Sequence, residues 1–123
     1  MRFDPMRYQA DVTLAVRLDP DNREELDYYL LPWLDHFPDP EAFRPKGLIV
    51  RQTRQRWGSM SPAGRLLLNR RLVQAPVDAI DYVITHELCH VAEPHHGAAF
   101  FELLDKVMPD WERRKQRLER AMA

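Results

Sequence analysis

Residues 76–94 read Pro76-Val77-Asp78-Ala79-Ile80-Asp81-Tyr82-Val83-Ile84-Thr85-His86-Glu87-Leu88-Cys89-His90-Val91-Ala92-Glu93-Pro94. Pro76 suits the first position of a helix, and Asp78 falls in the first turn, where the dipole favours an acid. Pro94 stops the run, so the spacing predicts a helix to about Ala92. At about 100° per residue, with His86 set at 0°, His90 lies near 40° and Glu87 near 100°. Ile80, Ile84, Val91, Val77 and Leu88 cluster between roughly 120° and 200°. The aliphatic stripe belongs to the core, and two imidazoles with a neighbouring carboxylate project from another side. Histidines used as core filler would stand among the aliphatics.

His86-Glu87-Leu88-Cys89-His90 is an H-E-x-x-H motif. Imidazoles one turn apart can converge on one Zn²⁺ at about 2.0–2.1 Å, and Glu87 is placed to take a proton from an attacking water. A catalytic zinc needs a third protein ligand and an open position. His96 ranks first, because it completes the H-E-x-x-H-x5-H ligand spacing and Pro94 lets the chain turn back; Glu93 stands where that long motif has glycine. Glu102, on the next expected helix, ranks second and His95 third. Arg56 can stabilise negative charge developing on a substrate, and Tyr82, near −40° on the same wheel, is the alternative for that role.

On the N-terminal side, Gly47 to Arg54 reads as a strand. Residues 55–60 and 65–69 read as a hairpin around Ser61-Pro62-Ala63-Gly64. Earlier still, Val12, Leu14, Val16 and Leu18 alternate as in a half-buried strand. Asp21 or Asn22 caps a helix that Pro32 and the Pro38/Pro40 pair end or kink. On the C-terminal side a helix is expected over about 97–108, and Pro109 separates it from a charged tail helix beginning near Trp111. Strands with one helix, then helices only, give an α+β fold with helices packed on one face of a small sheet.

The 123 residues suit one domain, and 45% apolar with 30% charged residues is an ordinary globular composition. No apolar run reaches the ~18 residues of a membrane span, and the start lacks the apolar stretch of a secretion signal. The single cysteine, Cys89, excludes an internal disulfide framework and a four-cysteine zinc knot. A cytoplasmic protein without membrane contact is expected. Four scattered glycines exclude a phosphate-cradling loop, and Ser59 and Ser61, the only serines, lie outside any nucleophile elbow.

Charge is unevenly spread. Residues 1–43 carry −6, residues 44–77 carry +8 with no acid, and residues 78–123 carry −3. The basic segment can hold a nucleotide or nucleic acid; equally, its arginines can decorate solvated strand faces and pair with the acidic N-terminal third. Cys89 reads as a small apolar residue, Met108 as a core methionine, and Trp57 as a hairpin anchor.

Arg54-Gln55-Arg56-Trp57-Gly58-Ser59-Met60-Ser61 resembles the R-W-G-S-C-S signature of the YgjP-like zinc metallopeptidases, a group related to the WLM and SprT-type zincins. Leu68-Asn69 with Arg71-Leu72 is similar too, as are Ile80 to Ile84 leading into the H-E-x-x-H motif, His96 four residues before Phe100, and Met108-Pro109-Asp110-Trp111. The resemblance covers about residues 44–120, and residues 1–40 are not matched to it. Met60 replaces the group's usual cysteine, His95 a common asparagine, and Gly97 a common serine. The resemblance implies a zincin-like fold: a small antiparallel or mixed sheet with a hairpin, packed against the H-E-x-x-H helix and C-terminal helices. It also implies His86, His90 and His96 as zinc ligands and Glu87 as general base.

The leading expectation is therefore a zinc-dependent peptidase acting on a peptide or protein substrate. A metal-dependent nucleotide phosphohydrolase, using the basic segment, is the runner-up. A non-catalytic zinc-stabilised domain that binds nucleic acid or protein is the third reading, and Glu87 argues against it because a structural site has no use for a base.

Overall fold

The computed structural model describes residues 33–122, so the strand expected at 10–18 and the helix expected from Asp21 or Asn22 lie outside the described residues. Three strands come first: β1 (Gly47–Arg51), β2 (Gly58–Met60) and β3 (Arg65–Asn69). A 3-10 turn (Arg70–Gln74) leads to α1 (Val77–Cys89), α2 (Ala98–Val107) and α3 (Trp111–Ala121). The architecture is α+β, as the order of elements predicts.

β3 is the central strand. It pairs parallel with β1 (Leu48 opposite Leu66, Val50 opposite Leu68) and antiparallel with β2 (Gly58 opposite Leu68, Met60 opposite Leu66). The β2–β3 hairpin turns at Ser61–Gly64, where Gly64 N–H donates to Ser61 O (2.9 Å) and Gly64 adopts φ +82°, a region that favours glycine. The strands are shorter than expected: β1 stops at Arg51 and β2 starts at Gly58. The cause lies at the end of β3. The intervening segment passes over that end, and its carbonyls bond there instead of in a ladder. Asn69 Nδ2 donates to Thr53 O (3.1 Å) and Arg56 O (2.9 Å), and Asn69 N–H donates to Trp57 O (2.8 Å).

Alternation sets the buried face of the sheet. Leu48, Val50, Leu66 and Leu68 are buried while Ile49 is exposed. They share one core with Ile80, Val83, Ile84 and Leu88 of α1, joined by Phe100 and Leu104 of α2 and Leu118 of α3. Each such side chain contributes roughly 1.5–3 kcal/mol by leaving water.

The helix of α1 ends three residues before the expected Ala92. Its last turn tightens: His90, Val91 and Ala92 donate to carbonyls three residues back (3.1, 3.1 and 3.3 Å). On its outer side α1 is tied to α3 by ion pairs, Arg117 to Asp78 (2.7 Å) and Arg114 to Asp81 (3.6 Å). Asp81 also accepts from Trp33 Nε1 at 2.6 Å. No helix among the described residues is long and apolar enough to cross a membrane.

Candidate metal centre

The end of α1 and the turn after it bring three imidazoles together. His86 lies in the last turn of α1, and His90 is its C-cap, still with helical backbone angles (φ −68°, ψ −14°). Pro94 cannot continue the helix, and the chain turns so that His96 arrives just ahead of α2. His86 Nε2 and His96 Nε2 are 3.2 Å apart, and one nitrogen from each of the three rings lies within 4.8 Å of the others. Ligands at 2.0–2.1 Å around a tetrahedral zinc stand about 3.3–3.4 Å from one another. The donor set and its spacing fit a metal ion.

In His86 and His90 the other ring nitrogen has a partner of its own, as is usual for metal-binding imidazoles. His90 Nδ1 donates to Glu93 O (3.0 Å), which leaves Nε2 with its lone pair. Tyr82 Oη stands 3.4 Å from His86 Nδ1. Burial lowers His86 to about 4, with His90 and His96 adding to the effect, and burial lowers His90 as well. Both rings are neutral, ligand-competent groups at neutral pH.

Phe100 lies beneath all three rings. Its centroid is 4.9 Å from His86, 4.5 Å from His90 and 4.9 Å from His96, and the side chain is fully buried. Sequence reading noted its spacing from His96 and gave it no role. An aromatic one helical turn beyond a candidate ligand was the available signal.

Glu87 is buried at 7% exposure, and this burial raises its carboxyl to about 7 against the opposing pull of Arg56. Its close fit depends on Gly58. A Cβ there would stand 3.0 Å from Leu67 O, 3.2 Å from Glu87 Cγ and 3.2 Å from Val83 Cγ1. In the sequence Gly58 is one of four scattered glycines and part of the R-W-G-S stretch. Its contact with α1 depends on how the hairpin docks.

The remaining candidates separate clearly. His95 and Glu102 are exposed and stand outside the cluster of three histidines. Arg56 is exposed and lines a cleft of about 1040 Å³ together with Glu87, His86, His90 and His96. Tyr82 is buried, stacks on Trp111 (6.4 Å, 15°), and is raised to about 12 chiefly by burial. Trp57 is half-buried under the Arg71 guanidinium (5.5 Å), and Met108 is in the core. Cys89 is fully buried, and burial raises its thiol to about 12, an unreactive state.

Residues 7–121 match a family described as YgjP-like, metallopeptidase domain. The match takes in most of the N-terminal part that the sequence motifs left unmatched. No curated protein and no solved structure matches the chain.

Proposed function

Because the chain belongs to the YgjP-like metallopeptidase family, we propose that it is a zinc-dependent peptidase of zincin type, with the zinc held by His86, His90 and His96. The convergence of these three imidazoles beside a buried carboxyl carries this reading. Zinc in such a site supplies Lewis acidity, lowering the pKa of water toward about 7 and polarising a carbonyl.

The protein's own groups do the rest. Glu87, held near 7 by burial, takes the proton from the attacking water and returns it to the leaving amine. Arg56, on the same cleft wall, lends positive charge to the oxygen that becomes negative during attack. Tyr82 orients His86 through Nδ1, and Phe100 excludes water from beneath the rings.

The test is the zinc-loaded protein and its Glu87→Gln variant, assayed side by side on an unfolded protein and on nucleoside triphosphates. The expected outcome is peptide cleavage that falls about 10²–10⁴-fold in the variant while zinc content is unchanged. Glu87-dependent nucleotide hydrolysis without peptide cleavage would replace this reading with phosphohydrolase chemistry.

A further inference from the structure

Three polar or charged side chains are buried among the described residues: Glu87 in the cleft, Thr85 in α1, and Asn69 at the end of β3, which is 4% exposed. Asn69 uses its whole amide. Nδ2 donates to Thr53 O (3.1 Å), Thr53 Oγ1 (3.0 Å) and Arg56 O (2.9 Å), and Oδ1 accepts from Arg71 N–H (3.0 Å). Residues 53–56 make no backbone–backbone hydrogen bond among the described residues. The Asn69 amide and the Thr53 hydroxyl, which donates to Arg56 O (2.6 Å), are what tie them down.

The tether continues into the cleft wall. Asn69 N–H donates to Trp57 O (2.8 Å), and the Arg71 guanidinium stands 5.5 Å from the centre of the Trp57 ring. Gly58 follows at once, seated where a Cβ would stand 3.2 Å from Glu87 Cγ. Arg56, Trp57, Gly58 and Glu87 line one cleft. A fully paired buried amide specifies a single arrangement of the groups it binds, whereas an apolar side chain at residue 69 would leave the carbonyls of residues 53 and 56 without that hold. The segment so fixed is the one that carries Arg56.

We propose that Asn69 is a positioning residue for Arg56: its side-chain amide holds residues 53–57 over the end of β3, so that Arg56 is presented to the cleft beside the three histidines. This rests on the role given to Arg56 above, lending positive charge to the oxygen that becomes negative during attack. Asn69 itself, buried behind the wall, touches no substrate. With the amide bonds lost, fewer molecules hold Arg56 in place, and a misplacement of about 1 Å can cost about 100-fold in rate. The loss falls on the transition state, so kcat drops while KM holds.

The test is a double-mutant cycle on zinc-loaded protein: wild type, Asn69→Asp, Arg56→Gln and the double variant. Asn69→Asp keeps the size of the side chain and the acceptor for Arg71 N–H but removes both amide hydrogens. Each protein is assayed for cleavage of a peptide and titrated with the matching phosphonate peptide, whose tetrahedral anion stands in for the oxygen that Arg56 meets. Arg56→Gln is expected to lower kcat about 100-fold and Asn69→Asp about 10-fold, with KM and zinc content unchanged. Added to Arg56→Gln, Asn69→Asp should change kcat and phosphonate affinity by less than about twofold, because there is no placed guanidinium left to lose. A full further loss in the double variant, or wild-type kcat and phosphonate affinity in either single variant, overturns the inference and leaves the peptidase reading standing. If no peptide is cleaved, the peptidase reading falls, and the phosphonate titrations still decide whether Asn69 acts through Arg56. Should Asn69→Asp fail to fold, Thr53→Val, at a half-buried position, removes one bond to Arg56 O and is expected to lower kcat about threefold in wild type and not in Arg56→Gln. An equal loss in both backgrounds, or none in either, overturns the inference.

Discussion

The two faces of α1 make opposite use of burial. On the core face, Ile80, Ile84 and Leu88 are apolar and at most 1% exposed, so burial there contributes stability directly. On the cleft face, burial falls on groups that resist it: His86 is driven down to about 4 and Glu87 up to about 7. A helix selected for stability alone would carry neither. The cleft face gives up folding free energy to hold ionisable groups in states that water would not favour, and the core face compensates for it.

Phe100 is where the two faces meet, and its replacement has the largest expected effect. Phe100→Ala should destabilise the protein by about 3–5 kcal/mol and also weaken metal binding, since the rings lose their floor. Denaturant unfolding and a zinc titration measure the two losses. An unchanged zinc affinity would confine Phe100 to the core and make the division between the faces sharper.

Next in size is the third imidazole. His96→Ala should reduce zinc affinity by about 100-fold or more, whereas His95→Ala should change it little, because only His96 joins the cluster. Both positions are exposed, so neither variant should lower stability by more than about 0.5 kcal/mol in metal-free protein. Competition titrations against a chelator compare them, and the reverse ranking would reassign the third ligand.

The pH profile of the metal-free protein separates the buried Glu87 from the half-buried His86. Glu87 holds its proton up to about 7 in the folded state against an ordinary 4.5, so its contribution to stability is lost as pH rises from 4.5 through 7. His86 titrates near 4 against an ordinary 6.5, so its contribution is lost as pH falls from 6.5 through 4. The two slopes oppose each other between 4.5 and 6.5. Glu87→Gln removes only the first, and its stability should climb across that window where the wild type changes less. Thermal unfolding at a series of pH values checks the sign.

The smallest effect belongs to the outer side of α1. Arg117→Ala breaks an exposed pair with Asp78 and should cost about 0.2–1 kcal/mol, with zinc affinity unchanged. Altered metal binding in this variant would show that α3 controls the centre through α1.

The helices were legible in the sequence because their signals are local. Pro76, Pro94 and Pro109 mark boundaries, and the 3.6-residue period places His86, Glu87 and His90 away from the aliphatic stripe whatever α1 packs against. The hairpin turn was legible for the same reason, since Pro62 and Gly64 state their backbone preferences alone. Three ligand candidates stayed open after that reading, because the path of a chain beyond a proline depends on what it meets. Packing of α2 under the cleft brings in His96 and leaves His95 and Glu102 outside. The parallel pairing of β1 with β3, the hold of Asn69 on residues 53–57, the fit of Gly58 against Glu87 and the place of Phe100 under the rings all join residues distant in sequence. Periodicity and turn chemistry act within a few residues, whereas close approach between elements is set by shape and desolvation across the whole core, and only the folded chain brings those into contact.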